Sequence, residues 1–118
     1  MNYKINTKNG KKYIELFSAS VPLKAEADAL DIVALCGEND TYLLMVRRDA
    51  LSGDFFDLKT RAAGGIIQKF VNYHIKTVIV IPEDAQGARF REWAGESNKG
   101  SQFGVFSSRE DAEKWLLK

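Results

Sequence analysis

Thr77-Val78-Ile79-Val80-Ile81-Pro82 is the stretch on which the fold turns. Five β-branched residues in a row, closed by a proline that cannot donate to a ladder, read as a strand covered on both faces. Strands of that kind belong to parallel sheets, whose faces are packed by the helices that connect them. Just upstream, Ala63, Ile66, Ile67, Phe70 and Val71 recur at i, i+3, i+4, i+7 and i+8, which predicts a helix from Asp57 or Thr60 to Tyr73. Before it, Tyr42-Leu43-Leu44-Met45-Val46 is a second continuous apolar run. Strand, helix and strand in that order imply a parallel pair joined by a right-handed crossover.

Further toward the start, residues 24–38 carry Ala27, Leu30, Val33 and Ala34 at helical spacing, with Ala29, Ile32 and Leu35 widening the stripe, so a largely buried helix is expected. Ahead of it, 3–7 and 12–17 alternate polar and apolar residues around Asn9-Gly10, a dipeptide suited to the positive φ angles of a tight hairpin turn. Beyond Pro82, a helix over about 86–97 places Phe90, Trp93 and Ala94 on one face, and Phe103-Gly104-Val105-Phe106 reads as a short strand. Ser108, three residues before Asp111, starts a last helix with Ala112, Trp115 and Leu116 inward. The expectation is one α/β domain over 1–118, a single mixed sheet made of an N-terminal hairpin followed by strand-helix repeats. Leu44, Ile67, Phe70, Ile79 and Val80 are the expected core.

Composition narrows the function classes. Seventeen basic residues face sixteen acidic ones, a formal charge of +1, so no net field draws the chain to nucleic acid, and the short basic groups at Lys8, Lys11 and Lys12 or at Arg47 and Arg48 have no aromatic interleaving. No apolar run nears the roughly 18 residues that cross a bilayer, and the polar start lacks a signal-peptide core, so neither a membrane nor export is expected and the cytoplasm is the expected compartment. Cys36 is the one cysteine, which excludes an internal disulfide and a multi-cysteine metal site. No glycine-rich nucleotide loop occurs, and no cofactor or metal is indicated.

Ligand sites in parallel α/β sheets favour the loops that leave the carboxyl ends of the strands. Here the longest of these contains Asp54, Phe55, Phe56, Asp57, Lys59, Thr60 and Arg61. Two readings stand side by side. In one, Asp57 or Thr60 caps the next helix and the adjacent phenylalanines plug the core. In the other, the unpaired N–H groups of the helix start, with Lys59 and Arg61, hold a small anion or phosphate. Asp54 and Asp57 alone make a weak acid/base or cation pair, since no third ligand or nucleophile is marked. His74 falls at a helix end, on the side where parallel strands begin, and Cys36 in the densest apolar stretch of the first helix, so a nucleophile with its base is not indicated. Gly64, Gly65 and Gly95 lie inside predicted helices, where close packing on neighbouring elements is the simplest reason for them.

Asp54-Phe55-Phe56-Asp57-Leu58, Gln68-Lys69-Phe70-Val71-Asn72-Tyr73 and Glu96-Ser97-Asn98-Lys99-Gly100 follow one another as three blocks that resemble the bacterial domain-of-unknown-function family numbered 4180. That family carries no assigned activity. The Glu96 to Gly100 turn adds Ser97 and Asn98 to the junction residues as binding candidates. The element order is also similar to the STAS domain of anti-sigma-factor antagonists, in which a hydroxyl at a strand-to-helix junction is phosphorylated to switch partner binding. Thr60 is the nearest hydroxyl here, and the Asp-Ser-Ser-Gly type of junction is missing. The expectation from both is an uncharacterised bacterial module that binds another protein without catalysis, using Asp54, Phe55, Asp57, Lys59, Thr60 and Arg61, with Ser97 and Asn98. The alternative is a small-molecule-binding protein or enzyme whose polar site is that junction.

Overall fold

The computed structural model describes residues 2–18, 23–57, 61–82, 84 and 87–118, without the side chains of Asp54 and Phe56. Its strands are β1 (Asn2–Lys8), β2 (Lys11–Ser18), β3 (Leu43–Arg47), β4 (Lys76–Val80) and β5 (Phe103–Phe106), and its helices α1 (Glu26–Glu38), α2 (Gly53–Phe56), α3 (Ala62–Asn72), α4 (Ala88–Ser97) and α5 (Arg109–Leu116). The sheet order is β1-β2-β3-β4-β5. β1 and β2 pair antiparallel through a turn in which Asn9 (φ 54°) and Gly10 (φ 75°) are both left-handed, as the dipeptide requires. β2, β3, β4 and β5 are mutually parallel. The α/β class with one mixed sheet is therefore what the chain adopts.

Because each parallel strand is added beside the previous one, right-handed crossovers put α1, α3 and α4 on one face. There Ile14, Leu16, Leu44, Val46, Ile79 and Val105 meet Ile32, Leu35, Ile66, Phe70 and Phe90. The alternate strand residues Tyr13, Met45, Val78 and Val80 face the other way, onto Ala112 and Leu116 of α5. Of the five expected core residues, Leu44, Phe70, Ile79 and Val80 are buried, the last on the α5 face, while Ile67 is half-buried against the larger cluster.

Several boundaries differ from expectation. Asp57 does not start a helix running on to Tyr73. α3 begins only after Arg61, whose left-handed backbone (φ 60°) cannot continue a right-handed helix from before it, and α2 is a separate short helix that ends ahead of Asp57. Arg61 is the N-cap residue and its side chain caps nothing, so Asp57 does not hold that position, and Thr60 lies outside the described residues. α1 is less buried than its composition suggests. Ala29, Ile32, Leu35 and Cys36 are buried, whereas Ala27, Leu30 and Ala34 are exposed, since α1 turns one side to the sheet and to α3 and leaves the other to solvent. A methyl group added at Gly65 would meet only the side chain of the exposed Glu26 of α1, at 2.9 Å, which can move aside, and Gly64 and Gly95 have open space, so close packing does not account for these glycines. Ser108 caps α5 as expected, its hydroxyl accepting from the Asp111 N–H at 3.2 Å.

Candidate functional site

Strands β2 to β5 end at one pole of the sheet, the carboxyl pole, and begin at the other, the amino pole. β3 runs through a short 3-10 turn, Arg48–Ala50, into a clasp in which the Leu23 N–H donates to the Ala50 carbonyl at 2.8 Å and the Ser52 N–H to the Leu23 carbonyl at 3.0 Å. The junction then departs from this pole. Phe55 is fully buried, its ring 6.2 Å from that of Phe90 and 6.4 Å from that of Trp93, so it serves as a core plug. Asp57 and Arg61 are exposed, Asp54 lies in α2, and Lys59 and Thr60 fall outside the described residues.

Ser97 and Asn98 sit at the far end of α4, before β5 begins, and so toward the opposite pole. The Ser97 hydroxyl donates to the Trp93 carbonyl one turn back at 3.0 Å. Asn98 is engaged by the backbone of β5, where its amide Nδ2 donates to the Val105 carbonyl at 2.7 Å and the Val105 N–H donates to its Oδ1 at 2.5 Å. β5 is an edge strand, and this side chain satisfies the peptide groups that a further strand would otherwise pair.

A polar network on the α5 face was not anticipated. Tyr13 and Glu15 are two residues apart on β2 and both point toward α5, with Glu15 only 2% exposed. Arg47, at the carboxyl end of β3, donates from Nη1 to Glu15 Oε2 at 2.9 Å. Arg109, the first residue of α5, donates from Nε to the same oxygen at 3.2 Å and from Nη2 to Oε1 at 3.1 Å. The Asn6 amide of β1 adds a bond to Oε1 at 2.8 Å. Arg109 Nη2 also donates to the Tyr13 hydroxyl at 2.9 Å, which in turn donates to Glu113, whose other oxygen accepts from Lys8 at 2.7 Å.

Burial alone raises the Glu15 carboxyl, but hydrogen bonds from Arg109, Arg47 and Asn6 outweigh it and hold Glu15 below the ordinary carboxylate value. The bond from Lys8, then that from Tyr13, does the same for Glu113. Burial and the Glu113 bond push the Tyr13 phenol up to about 12. Both carboxylates therefore stay ionised and act as acceptors. Cys36 is buried and its thiol is pushed up to about 11 by desolvation, which fits a small core residue better than a nucleophile. His74 occupies the turn after α3 with φ 60°, on the amino pole, where its sequence position put it. Among the described residues no group of histidine, cysteine and carboxylate side chains is arranged to hold a metal ion, and no helix is long and apolar enough to cross a membrane.

Glu15 lies in the alternating stretch 12–17, where nothing local marks it as a member of a network. α5 covers this face of β2, so the Glu15 carboxylate is buried there and needs the partners it has.

These features define an α/β domain whose singly wound sheet carries three crossover helices on one face and a polar network beneath a single helix on the other. The chain matches the family described as Domain of unknown function (DUF4180) over residues 8–116, and it belongs to that family. No curated protein and no solved structure matches it significantly.

Proposed function

We propose that the chain is a non-catalytic regulatory module of the bacterial cytoplasm, STAS-like in architecture, that works by protein–protein contact at the carboxyl pole. The observation that carries this reading is the Arg47–Glu15–Arg109 bridge. Two guanidinium side chains, each 35% exposed, are fixed on one buried carboxylate at the strand end from which the 54–61 junction departs. A planar cation already held in place loses little side-chain freedom when it meets an acidic group of a partner, which favours recognition. Glu15 and Glu113 are committed as ionised acceptors and Cys36 is desolvated, and both facts favour binding over catalysis.

The test compares affinity capture from bacterial lysate by the native chain with capture by Asp54→Asn and Arg61→Gln at the junction, and by His74→Gln at the opposite pole, with thermal unfolding of each protein. The expected result is unchanged stability throughout, loss of the captured partner with the junction variants, and retention with His74→Gln. Retention by both junction variants at unchanged stability would remove the junction from the binding surface.

A further inference from the structure

The amino pole holds a second polar feature, independent of the carboxyl-pole reading. Lys8 and Lys11 are register partners across the hairpin turn, so their side chains leave the same face of the sheet, toward α5. Lys11 Nζ donates to the Leu117 carbonyl at 2.7 Å. Lys76, at the start of β4, donates to the Trp115 carbonyl at 3.0 Å and lies 4.7 Å from the centre of the Trp115 ring. Between the hairpin turn and the last turn of α5 is a cleft of about 370 Å³ lined by Lys8, Asn9, Glu113, Lys114, Leu117 and Lys118.

Lysines at a helix end have an ordinary role, which is to offset the negative end of the helix dipole. The magnitudes show that this role is too small here. The dipole end amounts to about half an elementary charge, and it weakens within one turn. Among the described residues Glu113 is the one carboxylate side chain lining the cleft, and Lys8 already neutralises it. Lys114 and Lys118 remain in the lining, with Lys11 and Lys76 beside it on the Leu117 and Trp115 carbonyls, and these four leave a surplus of about 3.5 charges after the dipole is counted, or about 2.5 with a terminal carboxylate on Lys118 set against it. Crowding of this kind is unfavourable in the free protein. Burial, together with the charges of Lys11 and Lys118, presses the Lys76 ammonium below its ordinary value. The surplus is local, because the whole chain carries a formal charge of only +1.

We propose that this cleft binds a small polyphosphate-type anion, a compact ligand bearing two or more linked phosphoryl groups. Ammonium groups on flexible stems are point donors that close around tetrahedral oxyanions from several directions. The concave shape favours a compact anion over an extended polymer, and among the described residues the lining carries no ring on which a nucleic-acid base would stack.

Isothermal titration calorimetry of the full chain with sodium tripolyphosphate at low ionic strength tests this. The double variant Lys114→Gln/Lys118→Gln alters two exposed cleft residues, and Lys4→Gln/Lys99→Gln removes two exposed lysines that do not line the cleft. Saturable binding of tripolyphosphate, weakened at least tenfold in the cleft variant and unchanged in the control, is expected, with identical circular dichroism for all three proteins and no unfolding midpoint below that of the native chain. Competition by a nucleoside triphosphate would assign the source as a nucleotide, and competition by inorganic pyrophosphate without it as a free polyphosphate, each through the same linked phosphoryl chemistry. No binding, equal weakening in both variants, equal affinity for sulfate, or a preference for a single-stranded oligonucleotide would overturn the proposal.

Discussion

On the face covered by α1, α3 and α4, strand residues Ile14, Leu16, Leu44, Val46 and Ile79 meet aliphatic and aromatic helix residues. On the face covered by α5, the same strands place Tyr13 and Glu15 beside Met45, Val78 and Val80, and α5 answers with Arg109 and Glu113 as well as Ala112 and Leu116. The first face is held by area removed from water, which is indifferent to direction and to pH. The second joins a small apolar patch to a chain of directed, charge-assisted bonds, each of which depends on its partners being present and ionised. A single helix offers too little apolar surface to cover the middle of a sheet by packing alone, and the polar network extends the contact to β1, β2 and β3.

The largest effect that would sharpen this contrast is expected on the apolar face. Phe70 is 2% exposed in the centre of the larger cluster. Phe70→Ala removes a buried aromatic ring and leaves a cavity, a loss of about 3 to 5 kcal/mol in urea unfolding. The loss should be the same at pH 7 and pH 4. A cost below about 1 kcal/mol would mean that α3 does not pack as described.

The network face should respond less at neutrality and in a pH-dependent way. Glu15→Gln keeps the shape of the side chain and removes the charge that Arg47 and Arg109 share. Hydrogen bonds to charged groups contribute about 1.5 to 3 kcal/mol, and since both arginines are a third exposed and regain water, the lower part of that range, about 2 kcal/mol, is expected. Glu15 and Glu113 have folded-state values below their ordinary 4.5, so their stabilisation is present above that pH and is lost as the pH falls through the depressed values. Unfolding free energy of the native chain should therefore decline below about pH 4.5, and the decline should be shallower in Glu15→Gln. Parallel acid limbs in the two proteins would show that Glu15 does not carry this stabilisation.

The same contrast explains what the sequence made legible. Periodicities of two and of 3.6 are local, and they found every strand, the hairpin turn, the face of α3 and the cap at Ser108. They misjudged α1, because composition alone cannot say which side of an apolar helix meets solvent, and they ran one helix through Arg61, because a left-handed residue other than glycine leaves no local mark. At the site, the burial of Phe55 fits the simple reading of that residue, while Asn98 turned out to be engaged by the edge of β5. The network was invisible for a different reason. Glu15 meets Arg109, and Tyr13 meets Glu113, across almost the whole length of the chain, and no pattern within a window of residues links groups so far apart.

The smallest of these effects, and the one most specific to the α5 face, is expected at Tyr13. Its hydroxyl accepts from Arg109 and donates to Glu113, yet both partners keep other ligands, Glu15 for the arginine and Lys8 for the carboxylate. Tyr13→Phe keeps the ring in its packed position and should cost about 1 kcal/mol at pH 7, the usual net contribution of one intramolecular hydrogen bond. Alkaline titration adds a second signature. The phenol is raised from its ordinary 10.0 to about 12, so the folded state holds its proton more tightly than the unfolded state. The associated stability is fully present below pH 10.0 and is lost as the pH rises toward about 12. Urea unfolding followed between those limits should show a loss for the native chain beyond that of Tyr13→Phe, so the two proteins converge as the pH climbs. A constant gap across that range would mean that the hydroxyl is not held between Arg109 and Glu113, and the network would then divide into a Glu15 cluster and a separate Lys8–Glu113 pair.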